Sequence, residues 1–261
     1  MKLIDIHAHL HDKAFDQDRD ELINNLKSKD IFVVTIGTDS IESRKAVELA
    51  NQYDNVWCTI GVHPCDNVEA IFDEAEFSKM LNDKVVAIGE CGLDYYRLSD
   101  AHDTEKEKLR QKELFEKQII FASNYNLPLM LHGRPSKGSQ DAYEDMLVIL
   151  RKYNCYGNVH FFVGDSVTAN KFLELGFTFS LGGVMTLTNE YDDMIRSLPL
   201  ESIHLETDSP YVAPKEYRGK RNTPEYLPII LNRLCEIKSV SQEDLIEQLH
   251  KNAERVFGIK V

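Results

Sequence analysis

Eight times along this chain a short apolar run passes through a turn into a stretch with helical spacing, and that alternation restricts the fold more than any other feature. The runs are Leu3–His9, Ile31–Ile36, Val56–Val62, Val85–Gly89, Leu127–Leu131, Asn158–Phe162, Phe177–Leu181 and Ile203–Thr207. Helices are expected between them. Asp18–Lys29 carries Leu22, Ile23 and Leu26 on one side, Ser40 stands where the next helix needs an N-cap, and Glu69–Leu81 follows. A long helix is expected from about Asp103 to Tyr125, another ending at Tyr153, then Ser166–Leu175 and a small helix. Two more finish the chain, the last starting near Ser241 and ending at Phe257 before Gly258. Strand then helix, eight times in 261 residues, describes a (β/α)8 TIM barrel of the α/β class. No linker or shift in composition divides the chain, so one domain is expected across residues 1–261. An open doubly wound sheet is the rival, but no glycine-rich phosphate loop follows the first strand.

A barrel of this kind gathers the C-terminal ends of its strands on one face. Those ends carry His7 and His9 on the first strand, His63 just past the third, and Glu90 on the fourth. His132 follows on the fifth, His160 on the sixth and Asp208 on the eighth. Strict alternation in the first strand puts Ile4, Ile6 and Ala8 on one face and Asp5, His7 and His9 on the other. A lone histidine is more often structural than functional. Five imidazoles and two carboxylates converging on one mouth are instead a donor set for divalent transition ions. His7 and His9 can grip one ion, and Glu90 can bridge to a second about 3.5–4 Å away, the spacing that clamps attacking and leaving oxygens.

Lys and Arg number 30 against 43 Asp and Glu, a formal charge of −13. Such a surface repels nucleic acid as a whole, so a polyanionic substrate needs a local basic patch or bound cations. Arg134, Arg218, Lys220 and Arg221 are the side chains that would form the patch. The five cysteines are odd in number and never spaced as CxxC, which argues against a disulfide framework or a zinc knuckle. The start has no apolar leader, and no apolar run approaches the roughly 20 residues that span a bilayer. A cytoplasmic monomer without a membrane partner is expected.

Several motifs occur in a fixed order: Asp5-Ile6-His7-Ala8-His9, Gly61-Val62-His63-Pro64, Gly89-Glu90-Cys91-Gly92-Leu93-Asp94-Tyr95, His132-Gly133-Arg134, Glu206-Thr207-Asp208-Ser209-Pro210 and Arg218-Gly219-Lys220-Arg221-Asn222. With them, over its whole length, the chain resembles the TatD-type metal-dependent hydrolases, within the amidohydrolase-like barrels. The resemblance implies one metal on His7, His9, Glu90 and Asp208 and another on Glu90, His132 and His160. It also implies a metal-dependent DNase, often a 3′–5′ exonuclease on single strands. Two stretches depart from the family pattern. His160-Phe161-Phe162-Val163-Gly164 stands where the family commonly has His-Cys-Phe-Ser-Gly, and the loop Pro135–Gln140 is longer than usual.

The expected function is therefore a divalent-metal-dependent hydrolase, a deoxyribonuclease acting on DNA ends with two ions (Mg²⁺, Mn²⁺ or Zn²⁺) and a metal-activated water. The alternative is an amidohydrolase-type enzyme cleaving a lactone, amide or aminoacyl ester, since the same geometry serves carbonyl attack. A metal-stabilised barrel without catalysis is disfavoured because all six ligands are present. Asp208 is expected to hold a metal and accept a proton, with Glu206 as a supporting carboxylate or accessory base. His63 would donate to a substrate oxyanion or phosphate. Tyr95 or Tyr96 would stack on a base or sugar, Cys91 would face the core, and Asp5 would orient a ligating imidazole.

Overall fold

The computed structural model describes residues 2–66, 69–98 and 104–261. Eight strands run parallel in chain order: β1 (Leu3–Ala8), β2 (Ile31–Ile36), β3 (Val56–Ile60), β4 (Val85–Asp94), β5 (Leu129–Arg134), β6 (Gly157–Val159), β7 (Phe177–Leu181) and β8 (Ile203–Leu205). Helices α1 (Arg19–Ser28), α2 (Ser40–Gln52), α3 (Glu74–Ser78), α4 (Thr104–Tyr125), α5 (Asp141–Leu150) and α6 (Ser166–Glu174) connect them in turn. The short α7 (Val184–Leu187) and α8 (Asp192–Ser197) precede β8, and α9 (Leu227–Lys238) and α10 (Gln242–Phe257) follow it. This is a (β/α)8 TIM barrel. Its seam, between β1 and β8, is joined by Asp208 N–H donating to His7 C=O (2.8 Å) and His9 N–H donating to Ser209 C=O (2.7 Å). Asp5 adds to the seam by accepting from the backbone N–H and the hydroxyl of Thr207 (3.0 and 2.5 Å).

Two apolar layers hold the barrel. The outer one packs strand residues such as Val33, Val56 and Cys58 against helix residues such as Leu22, Leu26 and Ala46. The inner one joins Ile4, Ile6, Val34, Ile36, Val86 and Met130 to the C-terminal end of α10, with Val256 and Phe257. The lower barrel is thus filled with side chains, apolar ones joined by a hydrogen-bonded group of Asn158, Thr178 and His204, and the histidine and carboxylate cluster sits at the upper end.

Several local expectations give way to this structure. An irregularity in the pairing of β1 with β2, between Asp5 and Ala8, breaks the strict alternation. Ala8 therefore joins the outer layer rather than the face of Ile4 and Ile6, because a bulge changes the parity of every side chain beyond it. Among the described residues Asp5 makes no hydrogen bond to an imidazole; it accepts from the backbone N–H of His7 and from Thr207 and so fastens the seam. The strand expected to end at Gly89 continues to Asp94, along β5. Gly92, at φ 141°, permits this, because a Cβ there would collide with the carbonyl oxygen of His132. The helix expected at Glu69–Leu81 shrinks to α3, since Asp73 caps it by accepting from the N–H groups of Ala75 and Glu76 (2.9 and 3.3 Å). Asp39, not Ser40, caps α2 through the N–H groups of Ile41 and Glu42 (both 2.8 Å). The expected helix start at Asp103 lies outside the described residues, while Ser241 caps α10 and Gly258 ends it in the left-handed conformation.

Candidate metal centre

Glu90, on β4, is the hub. Its Oε2 lies 3.5 Å from His7 Nε2 and 4.0 Å from His9 Nε2, and Asp208 Oδ1 lies 3.7 and 3.4 Å from the same two nitrogens. Its other oxygen, Oε1, faces His132 Nδ1 at 2.7 Å, His160 Nε2 at 2.9 Å and His63 Nε2 at 3.7 Å. Donors from six places in the sequence therefore divide into two sets, each around one oxygen of the same carboxylate. The rings are closely packed: His7 stacks on His160 at 3.8 Å between centroids, and His63 meets His132 edge-on at 4.3 Å.

The donor chemistry fits divalent cations. Both ring nitrogens of His7, and Nδ1 of His160, are buried with no hydrogen-bond partner, a state that costs about 1–3 kcal/mol per group unless a ligand relieves it. Burial favours neutral Glu90, but the imidazoles of His160, His63 and His132 outweigh it and hold the carboxyl well below its usual range. His160 moves the opposite way. Burial lowers it, yet Glu90 and Glu206 raise it well above an ordinary histidine. His63 is held neutral, well below its usual value, by burial and by His132.

Side chains around this set fix the tautomers. His132 Nε2 lies 3.2 Å from Asp94 Oδ2, which leaves Nδ1 for Glu90. Asp94 is fully buried. Burial raises its carboxyl, but hydrogen bonds from His132 and the Arg97 N–H overcome this and bring it to about 2. His63 Nδ1 accepts the N–H groups of Cys65 and Asp66 (3.3 and 3.1 Å), so the neutral ring carries its proton on Nε2. Glu206 is also fully buried, accepting from Phe161 N–H (2.9 Å) and from the Ser180 hydroxyl, with Oε1 3.7 Å from His160 Nδ1. Phe161 is left-handed at φ 47°, and the bond to Glu206 holds that unusual backbone. The next residue, Phe162, packs with Tyr143 and Phe179.

The structure brings together His7, His9, His63, Glu90, His132, His160, Glu206 and Asp208, and it treats the other candidates differently. Tyr95 is only 2% exposed and donates its hydroxyl to Asp145 (2.8 Å), so its ring is closed to a stacking base. Tyr96 is the exposed neighbour, and the Arg134 guanidinium covers its ring at 4.1 Å. Arg221 is held by both oxygens of Asp18 (2.7 and 2.5 Å) and lies over Phe15, a structural tie rather than a free cation. Arg218 is exposed. Cys91 is fully buried in the outer apolar layer, as expected.

Sequence reasoning missed three residues. Asp94 follows Glu90 by four positions, so continued alternation would have put it on the same face had the strand been extended. Asn222, fully buried, donates to the carbonyls of Thr207 and Tyr211 (2.7 and 2.6 Å) and clamps the turn after Asp208. Tyr211, at the end of that turn, meets the His9 ring edge-on at 5.7 Å.

Known proteins resemble this chain in sequence and in fold. The family model described as TatD related DNase matches residues 4–258. The uncharacterized metal-dependent hydrolase YabD of Bacillus subtilis is 33% identical over 265 residues, covering 98% of this chain and 99% of YabD. A Pantoea ananatis protein named 3′-5′ ssDNA/RNA exonuclease TatD is 31% identical over 271 residues, covering 98% of this chain and all of its own. Among solved structures, the TatD homologue YJJV of Escherichia coli superposes with a TM-score of 0.87 at 26% identity over 98% of both chains. With the barrel, the donor set and these relatives in agreement, the chain belongs to the TatD-related DNase family of metal-dependent hydrolases.

Proposed function

We propose that this chain is a phosphodiesterase that holds two divalent ions and removes nucleotides from the 3′ ends of single-stranded DNA. The observation that carries the reading is the division of Glu90 between two donor sets, His7, His9 and Asp208 on Oε2 and His132 and His160 on Oε1. Cations held there would lower the pKa of a water and offset charge on the scissile phosphate. The chain's own groups do the rest. Asp208 accepts the proton of the attacking water, and the Nε2–H of His63 donates to a phosphate oxygen. Glu206 orients His160 from behind, a supporting role rather than that of a base. Arg134 and Arg218 meet the flanking phosphates. The name of the Pantoea relative supports the substrate class. We propose further that the enzyme works as a single-domain monomer in the cytoplasm; among the described residues, no helix is long and apolar enough to cross a membrane.

The test is a time course on 3′- and 5′-labelled single-stranded DNA with the chain loaded with Mg²⁺, Mn²⁺ or Zn²⁺, beside a lactone and an aminoacyl ester. Stepwise shortening from the 3′ end is expected. No shortening with any ion, together with turnover of a carbonyl substrate, would replace this reading with the second one. That second reading is favoured by two observations: the chain's formal charge is −13, and Arg221 is already paired with Asp18.

A further inference from the structure

Tyr211 is 51% exposed, yet its backbone is pinned on both sides. Its N–H donates to Asp208 C=O (2.9 Å), and its C=O accepts from the side-chain amide of the fully buried Asn222 (2.6 Å). The same amide reaches Thr207 C=O (2.7 Å), and Asn222 N–H reaches Pro210 C=O (3.1 Å). A buried asparagine thus fixes a turn that presents a half-exposed aromatic ring. Single exposed apolar side chains are ordinary. A ring fixed in this way and lying edge-on to His9 at 5.7 Å is placed for contact with whatever occupies the metal centre.

Two neighbours narrow the occupant. The segment leading to Asn222 carries the exposed cations Arg218 and Lys220, suited to phosphates rather than to an apolar group. On the opposite side of the ring of strands, past the ends of β4 and β5, the other exposed tyrosine of the mouth, Tyr96, is already covered by Arg134. We infer that Tyr211 is a stacking platform for the nucleobase next to the scissile phosphate, a substrate-positioning element beyond the residues that would hold the metals. The inference rests on the nuclease reading above. Stacking tolerates any base, because every base presents a π face, and a ring beside His9 binds the end of a strand without touching the reacting atoms.

The test compares the metal-loaded full chain with Tyr211→Ala and Tyr211→Phe on two single-stranded oligonucleotides. One is intact, and the other has abasic residues at its 3′ end. On the intact strand Tyr211→Ala should raise KM about tenfold, the lower part of the range for losing one base–aromatic stack, with a much smaller change in kcat. Tyr211→Phe should restore the KM, since the ring and not the hydroxyl does the stacking. On the abasic strand the alanine variant should match the parent. An equal KM increase on both strands, no increase on either, or loss of bound metal in Tyr211→Ala would overturn the platform, the last because the ring would then be supporting His9. A parent protein that cleaves neither strand would overturn the nuclease reading itself, and the platform with it.

Discussion

Replacing Asp94 by asparagine changes one atom and should loosen the metal centre. Each carboxylate oxygen of Asp94 now accepts from a different donor: Oδ1 from the Arg97 backbone N–H (3.1 Å), and Oδ2 from His132 Nε2 (3.2 Å) and the Cys65 thiol (3.5 Å). A carboxamide has one accepting oxygen. Whichever way it flips, its NH₂ group faces a donor, and one buried N–H loses its partner at a cost of about 1–3 kcal/mol. If the carbonyl oxygen turns to the Arg97 N–H, His132 loses the contact that keeps its proton on Nε2 and its Nδ1 free for the metal; if it stays on His132, the Arg97 N–H goes unpaired. Removing such a supporting carboxylate typically weakens metal binding by about 10–100-fold. Chelator competition with a fluorescent metal indicator measures the affinity, and urea unfolding of the metal-free chain measures the stability. Both should fall. Metal affinity within about twofold of the parent, in a variant that has lost about 1 kcal/mol or more of stability, would refute the orienting role and leave Asp94 as a turn-holding group alone.

Five further changes separate the remaining roles. Glu90→Gln removes the shared charge and one acceptor, so purified protein should carry at most half the parent's metal by mass spectrometry; full loading would contradict the bridge. Asp208→Asn should slow turnover by about 10²–10⁴-fold while the far-ultraviolet dichroism stays native, and retained activity would remove Asp208 from the proton transfer. His204 lies outside the metal centre, with Nε2 3.1 Å from the Thr178 hydroxyl, and burial together with Arg255 brings it down to about 3. The unfolded ring takes up a proton near 6.5 and the folded one does not, so stability falls as pH drops below that value, by about 1.4 kcal/mol at about pH 5.5. In His204→Gln that part of the acid sensitivity should vanish from urea midpoints at about pH 7.5 and about pH 5.5. Arg221→Ala, which breaks a half-exposed pair with Asp18, should cost no more than about 1 kcal/mol and leave the salt dependence of oligonucleotide binding intact. Arg218→Ala should lower that slope by about one; the reverse pattern would exchange their assignments.

The barrel was legible because each of its parts leaves a local trace. Eight apolar runs of strand length, separated by helical stretches, reach the right topology without knowledge of any contact. The convergence of the candidate ligands was legible for a related reason: in a barrel, a position at a strand's C-terminal end is enough to predict it. What escaped depends on distance in three dimensions. The bulge that moves Ala8 outward is a mismatch of register with β2, and β2 is not visible from β1. Arg221 looked like a free cation because its partner, Asp18, lies some 200 residues earlier. Tyr95 and Tyr96 are identical in type and adjacent in sequence, and only packing decides that the first is buried against Asp145 and the second exposed.

The seam of the barrel shows why the ligand pattern has the order it has. Closing β8 against β1 is the longest-range strand pairing of the barrel, and in the folded state its bonds run through the candidate ligands themselves. The carbonyl of His7 accepts from the N–H of Asp208, and the N–H of His9 donates to Ser209. Asp5, two residues before His7, takes both donors of Thr207, the residue before Asp208. Asp208 is left-handed at φ 55°, a conformation Asp tolerates better than most residues, and Asn222 clamps the turn that follows. The side chains of His7, His9 and Asp208 therefore reach their mutual distances only when the first and last strands meet. Glu90, from the opposite half of the sheet, then finds one donor set on that seam and the other on β5 and just past β6. The bonds that close the barrel thus also set the positions of the candidate ligands, so a substitution at the seam is expected to disturb the site as directly as one at His7, His9 or Asp208.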